Sequence, residues 1–373
     1  WVKGLIAKAL VAYDYTNTEW KTWRRDLTEY TYDYANEEYV GKEINTAYLE
    51  SKFENYEKPT YQFSLNYNNT FAKRHNIGAT FVWEMYNDKK NWVTGTRDFA
   101  IGLIPDLDYG NDSNQKSSGK TQKTAHAGWV GRLNYDYGNR YLVEFNFRYD
   151  GTYKFQRGNR WGFFPGVSLG WRVSEEDFFK KLLPDMDNLK IRASYAKVGD
   201  EGDFDAFQYL DGYTSHGSYI MGSGGVTSGM TTVGMANSWL TWYESKIMNV
   251  GFEVSYHRGL ISMEFDWFRR NRSGLPATRS GSLPTVFGES MPQENLNSDI
   301  NTGFEIAIGH KNKIGEFLYD ISANFSTTRI KYDYVERAAS TNMYDNWRNN
   351  TNGRYKSIRW GKRVIGCLLY TSD

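Results

Sequence analysis

Hydrophobic and polar residues alternate with a period of two in one segment of the chain after another. In residues 141–149 the odd positions are Tyr, Val, Phe, Phe and Tyr, and the even positions include Glu144, Asn146 and Arg148. The same alternation recurs at residues 129–137, 189–196, 248–257, 261–267 and 317–325. Residues with this spacing lie on opposite faces of a β-strand. Each segment also approaches the length that a tilted strand needs to cross a bilayer.

The connections between these predicted strands are alternately short and long. Short turns are expected near 73–76, 138–139, 258–259 and 312–315, with a medium one at 174–187. Between them lie a ten-residue connection at 151–160 and longer loops at 91–123, 199–245, 271–300 and after Ile330. Through about ten consecutive strands this order favours an up-and-down barrel over a Greek-key sandwich. Before Pro59 we expect strands at 4–15 and 20–34, and a third at 42–53.

Composition narrows the fold class further. Aromatic residues make up 17% of the chain, with 29 Tyr, 21 Phe and 13 Trp, yet the mean hydropathy is −0.68. No window of eighteen residues is free of charged and polar groups, which excludes a helical membrane protein. A soluble sheet protein would fill its apolar face with Val, Leu and Ile, whereas here Tyr and Trp lie near strand ends, as in an aromatic girdle. The sequence therefore predicts an all-β fold, a transmembrane antiparallel up-and-down β-barrel.

Charge and candidate chemistry exclude several classes of function. The 45 basic and 44 acidic residues nearly cancel, which argues against a nucleic-acid partner. The five His have no metal-ligand spacing, and the acidic run at 200–205 lacks the glycine and terminal Glu of a calcium loop. No arrangement of Ser, His and Asp or of Cys and His suggests a nucleophile. We expect no cofactor, no metal site and no catalytic activity.

The two ends of the chain carry expectations of their own. Trp1 is preceded by no Met or signal peptide, so we interpret the chain as an internal piece whose N-terminal part is missing. The run 367–373, which holds the single Cys, resembles the translation of a transposase-type sequencing adapter. The alternative is a genuine short strand. We therefore assign 1–366 to a partial barrel domain and 367–373 to an adapter-derived tail.

Specific strings resemble one family. Residues 141–152 (YLVEFNFRYDGT) resemble a strand ending in Arg-x-Asp-Gly-Ser, and residues 162–178 (GFFPGVSLGWRVSEEDF) resemble a Phe-Pro-x-x-Ser-x-Gly-Trp-x-x-Ser-x-Glu-x-Phe segment. Residues 188–195 (NLKIRASY) are similar to the strand that follows. The family is that of the SusC/RagA-type TonB-linked outer-membrane proteins. One departure is visible after Tyr195, where Ala196 and Asp200 replace the first Gly and the Asn of Gly-x-x-Gly-Asn.

The resemblance implies a plugged barrel of roughly twenty-two strands in the outer membrane of a Gram-negative bacterium. It implies TonB-dependent import of bulky nutrients, oligosaccharides first and peptides as another substrate class, together with a SusD-like lipoprotein. TonB would act through the N-terminal region that this chain lacks. A siderophore or cobalamin receptor and a passive porin-like barrel remain alternatives, although the 163–195 block argues against the siderophore or cobalamin class.

Two sets of residues are candidates for function. Polar residues opposite the apolar face would line the lumen, or simply solvate the wall: Arg132, Asp136, Glu144, Arg148, Lys190, Arg192, Glu253, Glu264 and Asp266. Aromatic residues in the 199–245 loop would stack on sugar rings or contact the partner, unless they serve packing: Tyr213, Tyr219, Trp239, Trp242 and Tyr243.

Overall fold

The structure is a computed structural model that describes residues 2–100, 104–221, 225–232, 234–279, 291–359 and 361. Its strands are β1 (Leu5–Arg24), β2 (Leu27–Asp33), β3 (Glu38–Asn45), β4 (Ala47–Phe71), β5 (His75–Phe99), β6 (Lys116–Tyr137), β7 (Tyr141–Thr152), β8 (Trp161–Arg172), β9 (Met186–Asp200), β10 (Tyr213–Met221), β11 (Gly225–Thr232), β12 (Tyr243–Tyr256), β13 (Ile261–Thr278), β14 (Gln293–Ile314) and β15 (Phe317–Tyr334). The helices are α1 (Asp177–Leu182) and α2 (Met343–Asn349), with 3₁₀ turns at Leu107–Tyr109, Asp112–Asn114 and Val173–Glu175.

Eleven strands form one sheet in the order β1-β4-β5-β6-β7-β8-β9-β12-β13-β14-β15. The pairs β2–β3 and β10–β11 form separate two-stranded sheets. From β7 to β15 each neighbouring pair is antiparallel. The predicted all-β, antiparallel, up-and-down order is therefore confirmed. Among the described helices, none is both long enough and apolar enough to cross a membrane.

The chain divides into two compact units. The first comprises Trp1–Ile6, Leu65–Val82 and Trp129–Asp373, and the second comprises Ala7–Ser64 and Trp83–Gly128. In the second unit, Ala47, Leu49 and Phe99 form a small buried core. Trp23 closes it, with its ring 4.9 Å from that of Phe99 in an edge-on arrangement. All functional candidates lie in the first unit.

Strand register in the first unit aligns the apolar positions into continuous rows. One row crosses seven strands through successive partners: Tyr141, Trp171, Ile191, Phe252, Phe265, Ile306 and Phe325. Because side chains alternate across a strand, the neighbouring positions form polar rows on the other face. Along this row the predicted alternation of apolar and polar positions is confirmed, since apolar residues pair with apolar residues on all seven strands. The pairing of like with like breaks down near some strand ends, as where Arg148 pairs with Phe164. We call these surfaces the apolar face and the polar face.

Short and long connections separate to the two ends of the strands of the first unit. Short turns join β6 to β7, β12 to β13 and β14 to β15, and the medium 173–185 connection joins β8 to β9 at the same end. Residues 153–160, 201–242 and 279–292 connect strands at the opposite end. The turn at Gly138 and Asn139 has φ of 56° and 57°, a left-handed conformation that Gly and Asn tolerate best. The alternation of connection lengths is thus confirmed.

Several predicted boundaries are wrong, and for one physical reason. Strand β4 continues through Pro59, β1 runs unbroken from Leu5 to Arg24, and only residues 100–115 of the predicted 91–123 loop lie between strands. Strand β13 extends to Thr278, β15 extends beyond Ile330 to Tyr334, and the 199–245 loop contains the β10–β11 hairpin. These strand extensions carry polar residues on both faces, so pairing continues where alternation of hydrophobicity stops. Residues 222–224, 280–290 and the predicted tail at 367–373 lie outside the described residues.

Candidate functional site

The polar face carries an ion-pair network built on three neighbouring strands. Arg192 of β9 donates from Nη1 to Oε1 of Glu253 at 2.8 Å and from Nη2 to Oε1 of Glu264 at 2.5 Å. Its Nη2 also donates to Asp266, and Nζ of Lys190 lies 3.4 Å from Oε1 of Glu253. Five of the nine predicted polar candidates thus meet in one place. Register explains the meeting, because Lys190 pairs with Glu253 and Glu253 pairs with Glu264.

The other four polar candidates lie on β6 and β7. Nη2 of Arg132 donates to Oε2 of Glu144 at 2.6 Å. Arg148 pairs instead with Asp150 of its own strand, its Nε 2.8 Å from Oδ2. Asp136 accepts from the backbone N–H of Asn139 at 2.8 Å, which fixes the β6–β7 turn. Asp136 therefore has a local structural partner in addition to its place on the polar face.

A cavity of ≈ 1160 Å³ opens onto this polar face. Its wall includes six of the nine polar candidates: Arg132, Asp136, Glu144, Lys190, Arg192 and Asp266. Neutral hydrogen-bonding groups such as Asn134, Ser168, Ser194 and Asn249 also line it, together with apolar side chains such as Leu142, Val143 and Leu169. The charged and amide groups of the wall offer donors and acceptors to a polar ligand. Within the described residues, no group of three or more His, Cys, Asp and Glu side chains is placed to hold a metal ion.

A second assembly lies at the long-connection end and is a buried aromatic cluster. Its members come from the 153–160 and 201–242 connections and from the adjoining strands β8 and β12: Phe155, Phe164, Phe204, Leu240, Trp242 and Tyr243. The Trp242 ring lies 5.4 Å from that of Phe164 and 6.0 Å from that of Phe155, both near edge-on. A Cβ at Gly199 would overlap the Phe164 ring, so this close approach requires glycine there. We call this cluster the rim core.

Asparagine side chains tie the connections around the rim core together. Nδ2 of Asn295 donates to the carbonyls of Thr241 at 2.8 Å and Gly274 at 2.9 Å. Asn159 donates to the Ser238 carbonyl at 3.0 Å, and Asn237 donates to the Gln293 carbonyl at 2.7 Å. These bonds substitute for backbone pairing in segments that have no ladder of their own. None of the three was predicted from sequence, where an Asn in a loop indicates only a turn.

The acidic run at 200–205 also makes contacts at the long-connection end. Tyr243 donates its hydroxyl to Oδ2 of Asp200 at 2.5 Å, and the backbone N–H of Gly202 donates to Oδ1 at 2.8 Å. Nζ of Lys154 donates to the backbone carbonyl of Glu201 at 2.8 Å. Burial raises the pKa of Glu201 above its ordinary value. The Asp200 carboxylate thus has intramolecular partners on both oxygens, and the Glu201 carboxylate accepts from the Thr152 hydroxyl at 3.3 Å.

The five aromatic candidates fall into two groups. Tyr213, Tyr219 and Trp239 are exposed, Trp239 to 84%, and offer accessible rings. Trp242 and Tyr243 are buried in the rim core, and the indole N–H of Trp242 donates to the Arg160 carbonyl at 2.9 Å. The prediction that Trp242 and Tyr243 offer accessible stacking surfaces is therefore wrong for this structure, and the alternative, that they serve packing, applies. They sit where the 201–242 connection enters β12, and apolar contacts cover them.

One further charged cluster escaped the sequence analysis. Asp299 of β14 is fully buried and accepts from Nε of Arg272 at 2.8 Å and from Nζ of Lys356 at 2.7 Å. Lys356 arrives on a segment that pairs with β15, through a bridge between Lys331 and Tyr355. The register of β13 against β14 brings Arg272 to Asp299, and the pairing of residue 355 with β15 brings Lys356 to them. No motif or spacing could have indicated them.

Comparison with known proteins places these features in context. The model of the family "TonB dependent receptor-like, beta-barrel" matches residues 6–366. TonB-dependent receptor P39 of Formosa agariphila is 28% identical over 334 residues, which are 87% of this chain and 30% of that protein. TonB-dependent receptor SusC of Bacteroides thetaiotaomicron is 33% identical over 200 residues, which are 53% of this chain and 20% of SusC. The chain thus spans less than a third of the length of these relatives.

Solved structures share the fold. The RagAB peptide importer in its open-open state matches with a TM-score of 0.76 and 17% identity, over 90% of this chain and 35% of that one. The same importer in the closed-closed state gives a TM-score of 0.75 over the same share of each chain. At this identity the likeness concerns the fold alone.

Proposed function

Because the chain belongs to the TonB-dependent receptor β-barrel family, as its 162–195 motifs predict, we propose that it is part of the wall of an outer-membrane importer of bulky nutrients. Oligosaccharides are the proposed substrate class, and a SusD-like lipoprotein and TonB are the proposed partners. The outer membrane of a Gram-negative bacterium is the proposed location. Similarity to SusC supports this class over a siderophore or cobalamin receptor.

The observation that carries the proposal is the contrast between the two faces of the sheet. In a membrane barrel the apolar face contacts lipid and the polar face surrounds a water-filled interior. We assign the nine polar candidates to that interior, where Arg192, Glu253 and Asp266 hold one another in place. Their charges nearly balance, so the wall offers hydrogen bonds without strongly selecting one sign of ligand charge. This suits a bulky neutral solute such as an oligosaccharide.

The long-connection end supports a sugar ligand for a second reason. Tyr213, Tyr219 and Trp239 have exposed rings and belong to the same 201–242 connection that supplies Phe204, Leu240 and Trp242 to the rim core. A flat ring presents an apolar face to the C–H groups of a pyranose and, in Tyr and Trp, a polar group to its hydroxyls. Peptide import is the second candidate, since the RagAB structures are those of a peptide importer and this chain shares their fold.

The test is deletion of residues 215–232, which removes most of the β10–β11 hairpin, in the full-length transporter. We expect normal assembly and normal outer-membrane level, together with reduced growth on the cognate oligosaccharide and normal growth on its monosaccharide. A strain without the whole gene gives the lower limit of uptake, and the substitutions Trp239→Ala and Tyr213→Ala test the exposed rings alone.

Three results would separate the alternatives. Loss of peptide uptake instead of glycan uptake would move the assignment to the second candidate. Uptake independent of TonB would indicate a porin-like barrel. Unchanged uptake and unchanged binding of the lipoprotein after the deletion would leave the hairpin without a role in transport.

A further inference from the structure

The connection between β8 and β9 carries exposed apolar side chains at the short-turn end of the strands. Phe178 is 60% exposed and Leu182 is 71% exposed, whereas the intervening Phe179 is buried. At about 100° per residue, Phe178 and Leu182 lie about 40° apart on one flank of α1. Lys180 lies on the opposite arc, and Lys181 lies at the edge of the apolar flank, about 60° from Phe178. The helix is therefore amphipathic, and its outer apolar flank is left open by the described residues.

The carboxylate of Glu176 fixes this helix to the apolar face of the sheet. Its Oε1 accepts from the Tyr141 hydroxyl at 2.7 Å and from the Trp171 indole N–H at 3.1 Å. Tyr141 and Trp171 are register partners within the apolar row. Arg140 donates to Oε2 at 3.2 Å, so both carboxylate oxygens are engaged.

The backbone continues the attachment into the helix. Glu176 directly precedes α1, and its carbonyl accepts from the N–H groups of Phe179 and Lys180, each at 3.0 Å. A helix of six residues has little stability alone, and these contacts hold its first turn. The start of α1 therefore lies outside the barrel wall, beside the ends of β7 and β8.

The chemistry of the surroundings identifies the partner. The apolar face of a membrane barrel contacts acyl chains, and Trp and Tyr near strand ends sit at the depth of the lipid headgroups. A helix with Phe and Leu on one flank and Lys on the other has the composition of an interfacial helix. Nζ of Lys180 donates to Oε2 of Glu175 at 2.7 Å, which leaves Lys181 as the lysine whose stem can extend along apolar surface with its ammonium group at the anionic phosphates. Water alone would leave the flank of Phe178 and Leu182 without a favourable neighbour.

We propose that α1 is a membrane anchor that lies in the headgroup layer of the phospholipid leaflet at the short-turn rim, with Phe178 and Leu182 among the upper acyl chains and Glu176 as its clamp. The barrel fold is its only premise, so it stands or falls separately from the nature of the transported substrate. Its position also continues the lipid-facing belt of Tyr141, Trp171 and Ile191 beyond the ends of the strands.

Spin labels test the position directly. Phe178→Cys and Leu182→Cys are each labelled in the full-length transporter in phospholipid vesicles, and Lys180→Cys is the matched control on the opposite arc. Collision with oxygen, which concentrates in the bilayer, is compared with collision with a water-soluble nickel chelate. We expect labels at 178 and 182 to favour oxygen and the label at 180 to favour nickel. Preference for nickel at 178 and 182 would overturn the proposal, and so would protection from both reagents, which would indicate a covering protein.

The clamp is tested in the same labelled protein. Glu176→Ala removes the acceptor for Tyr141 and Trp171, so nickel collisions at position 178 should rise severalfold. Glu176→Gln keeps an acceptor oxygen and should leave most of the membrane contact. An unchanged label environment in Glu176→Ala, with the barrel folded normally, would overturn the role of Glu176.

Discussion

The two ends of the strands in the first unit are built by different means. At the short-turn end, His257, Arg258 and Gly259 all have positive φ in the turn between β12 and β13, and the Gly259 N–H donates to Oδ2 of Asp187 on the adjacent strand β9 at 2.9 Å. At the long-connection end, residues 153–160 and 201–242 enclose a core of six buried residues that come from distant parts of the chain. The short-turn end thus consists of turns, one short helix and hydrogen bonds between adjacent strands and connections. The long-connection end requires a buried core of its own.

This difference has consequences for evolution and for function. A tight turn can change in few ways without disturbing register. A packed platform can keep its buried core while the segments that project from it vary. The β10–β11 hairpin, which forms its own two-stranded sheet, is the clearest example of such a segment. We therefore expect ligand preference to vary at one end and assembly to depend on the other.

The largest effect is expected in the rim core. Trp242→Ala removes a ring that packs on Phe155 and Phe164 and a donor to the Arg160 carbonyl. Truncation of a buried aromatic side chain costs about 3–5 kcal/mol. Hydrogen exchange in residues 201–242 of the full-length barrel should report this loss as faster opening. Trp239→Ala, at an exposed ring, is the control and should stay within about 0.5 kcal/mol. Equal effects of the two substitutions would contradict a packed rim core.

The next largest effect is expected from a comparison of the two faces of strand β7, between the two ends. Phe145 lies on the apolar face and Asn146 on the polar face of β7. Arginine at a lipid-facing position near the bilayer midplane costs about 2–4 kcal/mol, whereas the polar interior accepts it. We expect Phe145→Arg to lower the free energy of unfolding of the full-length barrel from lipid vesicles by that amount, and Asn146→Arg to change it little. A similar loss for both variants would refute the assignment of faces.

A smaller effect is expected from the asparagine bonds at the long-connection end. Asn295→Ala leaves the Thr241 and Gly274 carbonyls without their side-chain donor, and an unpaired buried group costs about 1–3 kcal/mol. Asn271→Ala is the matched control, since among the described residues the Asn271 side chain accepts from the nearby Arg269 side chain alone, at 3.1 Å. Proteolysis of the 201–242 connection should accelerate in the first variant and remain unchanged in the second. Equal cleavage rates would show that the rim core holds the connection without Asn295.

The smallest effect is expected at the short-turn end and depends on pH. Hydrogen bonds from Tyr141 and Trp171 hold the pKa of Glu176 below its ordinary value of 4.5. A carboxyl with a lowered pKa in the folded state contributes stability that is complete above pH 4.5 and is lost as the pH falls through the lower value. The difference in unfolding free energy between the wild type and Glu176→Gln should therefore shrink on acidification. A difference that is constant with pH would indicate that the charge of Glu176 contributes nothing.

Sequence patterns predicted the part of the fold that obeys a local rule. The alternation around Phe145 and the spacing of Arg192 and Lys190 assigned faces, and register then brought Glu253 and Asp266 to the arginine. The confirmed family and barrel class rest on motifs in the same strands. A period of two is sufficient for these predictions because each residue's face depends on its neighbours alone.

The contacts in and around the rim core could not be predicted from local sequence patterns. Trp242 looked like an exposed loop ring, but its neighbours Phe155 and Phe164 lie far away in sequence. Asn295 bonds to Thr241 across 54 residues. Before Pro59 the sequence predicted a separate strand at 42–53, yet β4 runs from Ala47 to Phe71 and passes through Pro59. In the first two cases contacts between residues distant in sequence, not local propensity, decide the outcome.

Asp299 has a consequence for the alignment of strands during assembly. A slip of β14 by two residues would keep its apolar and polar faces in place, so the hydrophobic pattern alone does not forbid it. That slip would set the uncharged Asn297 or Asn301 opposite Arg272 in place of Asp299. A buried carboxylate and a guanidinium separated in this way are strongly unfavourable. The pair of Asp299 and Arg272 therefore favours the native register of β13 and β14 over registers shifted by two residues.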